Sequence, residues 1–243
     1  MTKTQFNEIK EILSKWREER HLTYENQQAE FLGNVFEKVS EYFRAKNDLE
    51  KIDAICDIVI YFFNAFDFKY IAVSSNMYCY TFSDVVVYNI YSLFGARTDN
   101  LCVVENENDF INLEKNLNLT MFEIEQLCKN LGFDFYKCML EKIKEIESRT
   151  GFYDESLNKF IKDEGYYSVA HLKNEIKLPK TYEIINVIEE KDLFLVKIKT
   201  PNTILTNKFK KWYKVDYEKV AGYKNVKYHL SFTFCIIFHS DVF

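Results

Sequence analysis

The stretch DAICDIVIYFFNAF, from Asp53 to Phe66, is apolar apart from two carboxylates and one amide. On a helix that turns about 100° per residue, Asp53, Asp57 and Asn64 fall on one stripe, because they are separated by four and seven residues. Glu50, three residues before Asp53, extends this stripe. Apolar side chains surround the rest of the helix, so a solvent-exposed face does not explain the pattern. The stretch predicts a buried helix whose polar stripe faces the protein interior or an interface.

The surrounding sequence predicts a mainly α fold. Only 6 Gly and 2 Pro occur in 243 residues, which favours long helices over many short strands. We expect helices at about residues 4–19 and 26–46, from about 49, from about 83, and on both sides of a break at Gly132. The second helix is expected to have an apolar side made of Leu32, Val35, Phe36, Val39 and Phe43. Its short link to the third helix favours antiparallel neighbours, so we predict an antiparallel helical bundle core.

The sequence changes character after Asp163. TYEIINVI and DLFLVKIKT are rich in β-branched and aromatic residues and flank a short EEK, which predicts a β-hairpin. KYHLSFTFCIIF is a further strand candidate. We therefore expect residues 1–163 to form an all-α domain and residues 164–243 to form a small β-containing C-terminal extension that carries the hairpin.

Charge and composition argue against several functional classes. With 32 basic and 37 acidic residues the net charge is −5, so no strong field attracts nucleic acid or an anionic membrane. The six cysteines lack C-x-x-C spacing, which indicates neither a zinc ribbon nor a disulfide framework. No signal peptide and no apolar run of membrane-spanning length is present. We expect a cytoplasmic protein without a membrane partner.

Carboxylates occur in two helical pairs. Glu37 and Glu41 lie one turn apart on the second helix, where a solvated face explains them as well as a site does. Asp53 and Asp57 lie one turn apart in an apolar helix, where their burial is costly unless donors or a cation compensate. A satisfied polar network is one solution. A bound Mg²⁺ or Mn²⁺ is the other, because carboxylates without nearby His or Cys suit hard cations.

The same residues carry a resemblance to a known family. NVFEKVSEYFRA followed by EKIDAICDIVIYFFNAF resembles the metal-binding core of the all-α nucleoside triphosphate pyrophosphohydrolases, the MazG-like superfamily, and more narrowly its phage and bacterial phosphoribosyl-ATP pyrophosphohydrolase-like members. KWREER with Gln27 and Gln28 resembles the family's lead-in, and KEIESRTGFYDESLNKFIKD resembles its downstream basic segment. Together these motifs cover roughly residues 10 to 163.

The resemblance implies a homodimeric, Mg²⁺-dependent enzyme that converts a nucleoside triphosphate to the monophosphate and pyrophosphate. Its implied metal ligands are Glu37, Glu41, Glu50, Asp53 and Asp57. Glu41 is also the implied general base. Lys38 stands where the family usually has a second glutamate, and Ala54 stands where it has the glutamate partner of Asp57.

The candidate substrate-binding residues are Lys38, Asn64, Arg149, Lys159 and Lys162. A solvated, lysine-rich turn explains the last three as well as phosphate binding does. Lys159 and Lys162, on a helix or a turn, would reach the distal phosphates, and Arg149 would add planar donors. Asn158 stands where relatives usually have Gly.

Two other functions stay open. The departures at Lys38 and Ala54 fit a non-catalytic, nucleotide-binding relative that acts through partners. KFKKWYKVDYEKV, residues 208–220, interleaves basic and aromatic residues as single-strand nucleic-acid-binding segments do. The same segment resembles a Trp-Tyr-Lys-x-Asp-Tyr element that closely follows the basic segment in relatives. Residues 164–207 would then be an insertion.

Overall fold

The computed structural model describes residues 1–73, 107–157 and 159–221, without the side chains of residues 107–112 and 159. Within these residues the protein is mainly α, as predicted. The helices are α1 (Lys3–Glu18), α2 (Tyr24–Arg44), α3 (Asp48–Ala65), α4 (Glu107–Asn130), α5 (Phe135–Ser148), α6 (Val169–Glu175) and α7 (Tyr217–Val220). The strands are β1 (Gly151–Asp154), β2 (Lys159–Lys162), β3 (Glu183–Glu189), β4 (Leu193–Lys199) and β5 (Ile204–Lys210).

Two sequence predictions concern residues that are not described. The helix expected from about Ser83 and the strand candidate KYHLSFTFCIIF both lie outside the described residues. In the part of the chain that the structure describes, none of the helices has the length and apolar character needed to span a bilayer.

Local capping fixes where the first helices begin. The Thr2 side chain accepts a hydrogen bond from the backbone N–H of Gln5, and the Gln5 side chain accepts one from Thr2. Thr23 and Asn26 form the same reciprocal box, so α2 begins two residues before the predicted start. At the other predicted boundary, Gly132 has φ 89°, a conformation that favours glycine, and it separates α4 from α5. The predicted break at Gly132 is confirmed.

Helix α3 is the centre of the helical core. It contacts α1, α2, α4 and α5. Its fully buried apolar side chains are Ile52, Ile55, Ile58, Val59, Phe62 and Phe63. Burial of each such side chain contributes about 1.5–3 kcal/mol to folding. The prediction that DAICDIVIYFFNAF is a buried helix with a polar stripe is confirmed by the burial of Asp57 and Asn64 among these residues.

The face of α2 that packs on this core differs from the predicted one. Phe31 and Val35 are buried, but Phe36 is 53% exposed and Phe43 is 58% exposed. Val39 and Tyr42 also pack against the core. The buried stripe therefore runs through Phe31, Val35, Val39 and Tyr42, and the assignment of Phe36 and Phe43 to the core-facing side is wrong.

Strands β1 and β2 form an antiparallel hairpin inside the region that was expected to be all-α. The Asp154 carboxylate accepts hydrogen bonds from the backbone N–H groups of Ser156 and Leu157, which closes the turn locally. Phe152 pairs with Ile161 across the strands. Residues 151–162 are thus a hairpin, and Lys159 and Lys162 lie on a strand instead of a helix or turn.

A second sheet has the order β3-β4-β5 and is antiparallel throughout. Its first two strands confirm the predicted hairpin, whereas β5 was not predicted. The sheet has its own small core of Tyr166, Leu172, Phe194, Val196 and Ile198. We call residues 167–210 the sheet module.

The two ends of the sheet module meet. The Tyr166 N–H donates to the Lys210 carbonyl at 3.0 Å, and the Trp212 N–H donates to the Tyr166 carbonyl at 3.0 Å. After the module the chain returns to the helical core, where Tyr217 is buried and Val215 packs beside it. The described part of residues 164–243 is therefore divided between the two cores.

Candidate functional site

The polar stripe of α3 faces α5, where Lys142 supplies a counter-charge. Lys142 Nζ lies 2.9 Å from Asp53 Oδ1, 3.2 Å from Asp57 Oδ1 and 3.3 Å from Glu145 Oε2. Lys142 is only 3% exposed. Burial alone would lower the pKa of Lys142, but the carboxylates of Asp57, Asp53 and Glu145 outweigh it and hold this pKa well above its ordinary value. We call Asp53, Asp57 and Glu145 the carboxylate triad.

A second ammonium reaches the triad from α2. Lys38 Nζ lies 3.3 Å from Asp57 Oδ2 and 2.8 Å from Glu41 Oε2. The pKa of Lys38 is raised, because Asp57 and Glu41 more than offset its partial burial. The pKa of Asp57 is also raised, because its burial and the charge of Asp53 outweigh the two lysines. Lys38 therefore links Glu41 to the buried stripe of α3.

One oxygen of Glu145 accepts hydrogen bonds, and the other is paired with the Lys142 ammonium. Arg149 Nε donates to Glu145 Oε1 at 2.5 Å, and Tyr167 Oη donates to the same oxygen at 3.0 Å. Burial, together with the bond to Glu145, raises the pKa of Tyr167 to about 12. Glu145 Oε2 is buried without a hydrogen-bond partner among the described residues. The counter-charge of this buried oxygen is the Lys142 ammonium, 3.3 Å away.

The segment after the sheet module completes the site. Tyr217 Oη donates to Asp53 Oδ1 at 2.8 Å. Tyr213 Oη donates to Glu141, whose Oε1 also accepts the Asp216 N–H at 3.3 Å. The Trp212 ring packs against the ring of Tyr167, with centroids 5.3 Å apart. Tyr213 and Tyr217 thus contact residues of α5 and α3, whereas Trp212 packs on Tyr167 of the sheet module. The nucleic-acid alternative stays a prediction.

The lysines of this segment lie elsewhere. In the β4–β5 register Lys208 is opposite Leu195, and Lys210 is opposite Leu193. Directly paired residues share a sheet face, so these two lysines lie on the same outer face as Lys197 and Lys199. Lys208 and Lys210 therefore lie on the opposite face of the sheet from Phe209.

The structure brings only part of the predicted site together. Glu41, Lys38, Asp53 and Asp57 meet, and Arg149 joins them through Glu145. Glu37 is exposed on α2, one turn before Glu41. Lys162 is exposed on β2, and its pKa is lowered, first because nearby protein atoms limit its hydration and then because of the charge of Arg149. The side chain of Lys159 lies outside the described residues.

Two predicted residues have local structural partners instead. Glu50 is exposed and accepts hydrogen bonds from the Lys46 N–H at 2.8 Å and from Asn47 Nδ2 at 2.9 Å, at the start of α3. Asn64 is buried at the opposite end of α3, where its Oδ1 lies 3.4 Å from Arg17 Nη1. Neither side chain contacts the triad. Their spacing placed them on the stripe, but Glu50 is bonded at the start of α3 and Asn64 contacts Arg17 of α1.

Sequence reasoning missed Lys142, Glu145 and Tyr217. A signal for the first two is present, because Lys142, Glu145 and Arg149 are three and four residues apart and form a polar stripe on α5. In a segment as charged as LEKIKEIESR this stripe is typical of a solvated helix face. Nothing near Tyr217 in the sequence indicates its contact with Asp53.

A Mg²⁺ ion requires several oxygen donors around one point. Within residues 1–73, 107–157 and 159–221, no group of three or more His, Cys, Asp or Glu side chains is already arranged to hold a metal ion. The carboxylate triad nevertheless converges on one point, the Lys142 ammonium, and Glu145 Oε2 lacks a hydrogen-bond partner there. The triad matches a hard cation in donor type, but the Lys142 ammonium occupies the point on which its oxygens converge.

An open pocket of about 510 Å³ lies beside the β1–β2 hairpin. Its lining includes Arg20, His21, Tyr153 and Phe160. Arg20 Nη2 donates to the Arg149 carbonyl at 3.0 Å, so the pocket and the triad are joined through Arg149. His21 has φ 54°, an uncommon conformation for a residue other than glycine.

Comparisons of the chain with protein-family models, with curated proteins and with solved structures found no match. The resemblance to the MazG-like superfamily therefore stays a prediction that rests on its motifs.

Proposed function

We propose that the protein is a Mg²⁺-dependent nucleotide pyrophosphohydrolase of the MazG-like type, with Mn²⁺ as an alternative metal. It would hydrolyse a nucleoside triphosphate between the α and β phosphates and release the monophosphate and pyrophosphate. The observation that carries the proposal is the convergence of Asp53, Asp57 and Glu145 on one point, with Arg149 held beside them. Phosphate hydrolysis needs carboxylates that hold a metal and cationic side chains that bind the phosphate.

The carboxylate triad would hold the metal, which when bound neutralises phosphate charge and activates water. Glu41 is partly exposed and reaches the triad through Lys38, so it has access both to solvent water and to the buried charges. We assign Glu41 the role of general base, which takes the proton of the attacking water at a carboxylate oxygen.

Phosphate binding is assigned to Arg149 and Lys162. Arg149 is oriented by Glu145, and the lowered pKa of Lys162 reflects restricted hydration and the nearby guanidinium. Two neighbouring cations repel each other until an anion lies between them, so a phosphate group relieves the conflict. The pocket beside the hairpin, with its rings and its link to Arg149 through Arg20, is the proposed place for the nucleoside.

The proposal extends to assembly. We propose that helices α1 to α5 form an antiparallel bundle and that the protein is a cytoplasmic homodimer of the phage or bacterial type. The exposed polar side of α2, with Glu37, would face the partner. Light scattering that gives a stable monomer across working concentrations contradicts the dimer.

A screen of nucleoside triphosphates with Mg²⁺, read by pyrophosphate release, tests the function. We expect release by the parent protein and a loss of at least about 100-fold in Asp57→Asn, because a metal-binding charge is removed. Lys144→Met is the matched control, since Lys144 pairs with Glu141 outside the triad. No release from any triphosphate with either metal would contradict the proposal.

The second candidate is a non-catalytic nucleotide-binding protein that acts through partners. One observation favours it, because Lys142 and Lys38 already neutralise part of the carboxylate charge without a metal. Nucleotide binding measured by calorimetry, without turnover under any metal condition, is the result expected for this candidate.

A further inference from the structure

We propose that the outer face of the sheet module binds the phosphate backbone of duplex nucleic acid. The binding groups are four exposed lysines, which we call the lysine track: Lys210 and Lys208 on β5, and Lys197 and Lys199 on β4. This binding is a further function of the chain, and it does not depend on the proposed hydrolysis.

The strand register arranges the lysine track as a continuous line. Residues two positions apart share a face of a strand and lie about 6.6–6.8 Å from each other, which gives the step within each lysine pair. Lys208 lies opposite Leu195, so Lys197 is its diagonal neighbour at about 7–8 Å. The track therefore presents one ammonium in each of four consecutive cross-strand rows, over a length of about 20 Å.

Most of the positive charge of the track is uncompensated. Lys210 Nζ lies 3.6 Å from Asp163 Oδ2, and Glu183 is the direct cross-strand neighbour of Lys199. Lys197 and Lys208 have no ion pair within the described ranges of the chain. The outer face of the sheet therefore keeps a net positive charge.

The sheet module differs in charge from the rest of the chain. Residues 167–210 contain eight lysines and five acidic residues, whereas the whole chain has a net charge of −5. The module is thus basic and the remainder is acidic. A polyanion is attracted to the module and repelled by the remainder, which restricts the region of the protein that it can approach.

Protection of the sheet edge explains only half of the lysine track. Lysines on an edge strand discourage pairing with a second sheet, and β5 is an edge strand. Strand β4, in contrast, is the central strand and is paired on both sides. Lys197 and Lys199 therefore have no edge to protect.

The composition of the outer face favours duplex over single-stranded nucleic acid. Its other paired positions are occupied by aliphatic or small polar residues and one carboxylate, namely Glu183, Asn186, Ile188, Leu193, Leu195, Ile204 and Thr206. Single strands are bound with aromatic rings on which their bases stack, and the paired positions of this face contain none. The bases of a duplex already stack on each other, so lysine contacts to phosphates suffice.

An acidic polypeptide is the other linear polyanion to consider. A peptide that joins a sheet binds at its edge, where main-chain hydrogen bonds supply much of the affinity. The lysine track crosses the face of β4 and β5 and offers ammonium groups only. A phosphate backbone needs only cations from its partner, so the track suits it better.

Fluorescence anisotropy with a labelled duplex of mixed sequence, titrated with the full chain at increasing salt, tests the inference. We expect a dissociation constant of about 10⁻⁴–10⁻⁶ M that changes little with the sequence of the duplex. A single strand of the same length should bind no more tightly than the duplex.

Paired variants test the lysine track itself. Lys197→Gln combined with Lys208→Gln should weaken duplex binding at least about tenfold and reduce the slope of log K against log salt by about two, because each lost phosphate contact removes about 0.9. Lys173→Gln combined with Lys177→Gln is the matched control, because it makes the same charge change at exposed positions of the same module. We expect the control to lose less than about threefold and to keep the slope.

The absence of duplex binding by the parent at low salt overturns the inference, as does an equal loss in the two paired variants. Tighter binding of the single strand also overturns it, because base stacking then supplies the affinity. Displacement of the duplex by poly-glutamate as effectively as by unlabelled duplex would identify an acidic-peptide site instead. A chain that hydrolyses no triphosphate but binds duplex through the track loses the enzyme proposal and keeps this inference.

Discussion

Lys142 and Asp53 are 89 positions apart in the sequence, and Lys142 Nζ lies 2.9 Å from Asp53 Oδ1. The same oxygen accepts a hydrogen bond from Tyr217, so α3, α5 and the start of α7 meet at one atom. Because both bonds end on an ionised oxygen, each is stronger than a bond between neutral groups. Asp53 is therefore fixed by two distant segments at once.

Asp57→Asn is expected to remove hydrolysis without harming the fold. Lys142 keeps Asp53 and Glu145 in this variant, and Lys38 keeps Glu41. Because the pKa of Asp57 is raised, the folded state disfavours its charged form more than the unfolded chain does. The resulting stabilisation is present below about pH 4 and is lost as pH rises through the raised pKa. The variant should therefore gain stability relative to the parent between acid and neutral pH in urea unfolding. A variant that is less stable than the parent at pH 7 contradicts this reading.

Tyr217→Phe should lower the free energy of unfolding by about 1.5–3 kcal/mol, the range for a lost hydrogen bond to a charged group. Tyr217 is buried, and Phe fills the same space, so the change removes little except the bond to Asp53. Chemical denaturation measures the difference. Tyr182→Phe is the control, since Tyr182 is exposed on the sheet module, and we expect a change below about 0.5 kcal/mol. Equal effects in the two variants would show that the bond contributes nothing.

Alkaline pH should destabilise the protein through two partly buried phenols. Burial raises the pKa of Tyr61 and of Tyr167 to about 12. Since the native state keeps these protons while the unfolded chain releases them near pH 10, stability should fall as pH rises from about 10 to 12. Urea unfolding across this range should give a shallower decline in Tyr167→Phe than in the parent. A decline equally steep in Tyr167→Phe and in the exposed control Tyr182→Phe would exclude this phenol as a cause.

Gly165→Ala and Gly33→Ala are expected to act in opposite directions. A Cβ at Gly165 would overlap the ring of Trp212, and displacing this ring should cost about 1–3 kcal/mol of stability. A Cβ at Gly33 meets nothing within 4 Å, and Ala within α2 should add about 0.5–1 kcal/mol. Thermal melts of both variants test the pair. Unchanged stability in Gly165→Ala would contradict the Trp212 overlap, and a loss in Gly33→Ala would contradict the expected gain within α2.

The helical part of the fold was predictable where the sequence of a single helix determines its burial. The apolar density of α3 requires burial on nearly every side, whichever elements cover it. The face of α2 was not predictable in the same way, because Phe31 and Phe36 both fit an apolar stripe and only the packing against α3 decides between them. The β1–β2 hairpin was missed because its turn depends on backbone bonds to Asp154 in a segment rich in charged residues.

The residues of the site were also only partly predictable from the sequence. Asp53 and Asp57 stand out because a carboxylate in an apolar helix is unusual wherever it occurs. Lys142 and Glu145 do not, because their burial follows from the docking of α5 on α3, which sequence spacing does not encode. Glu50 has the right spacing for the stripe, but the backbone donor at Lys46 is nearer than any distant partner.

The bond between Tyr217 and Asp53 also sets an order of events during synthesis. Tyr217 follows Asp53 by 164 positions. At roughly 5–20 residues per second it is made about 8–33 s later, after the whole sheet module. Because the ends of that module are hydrogen-bonded to each other, its folding brings Trp212 back beside Tyr166 and delivers the following residues to the helices. A ribosome that stalls between Trp212 and Tyr217 would thus leave a nascent chain with α1 to α5 already synthesised and Asp53 still lacking its phenol donor.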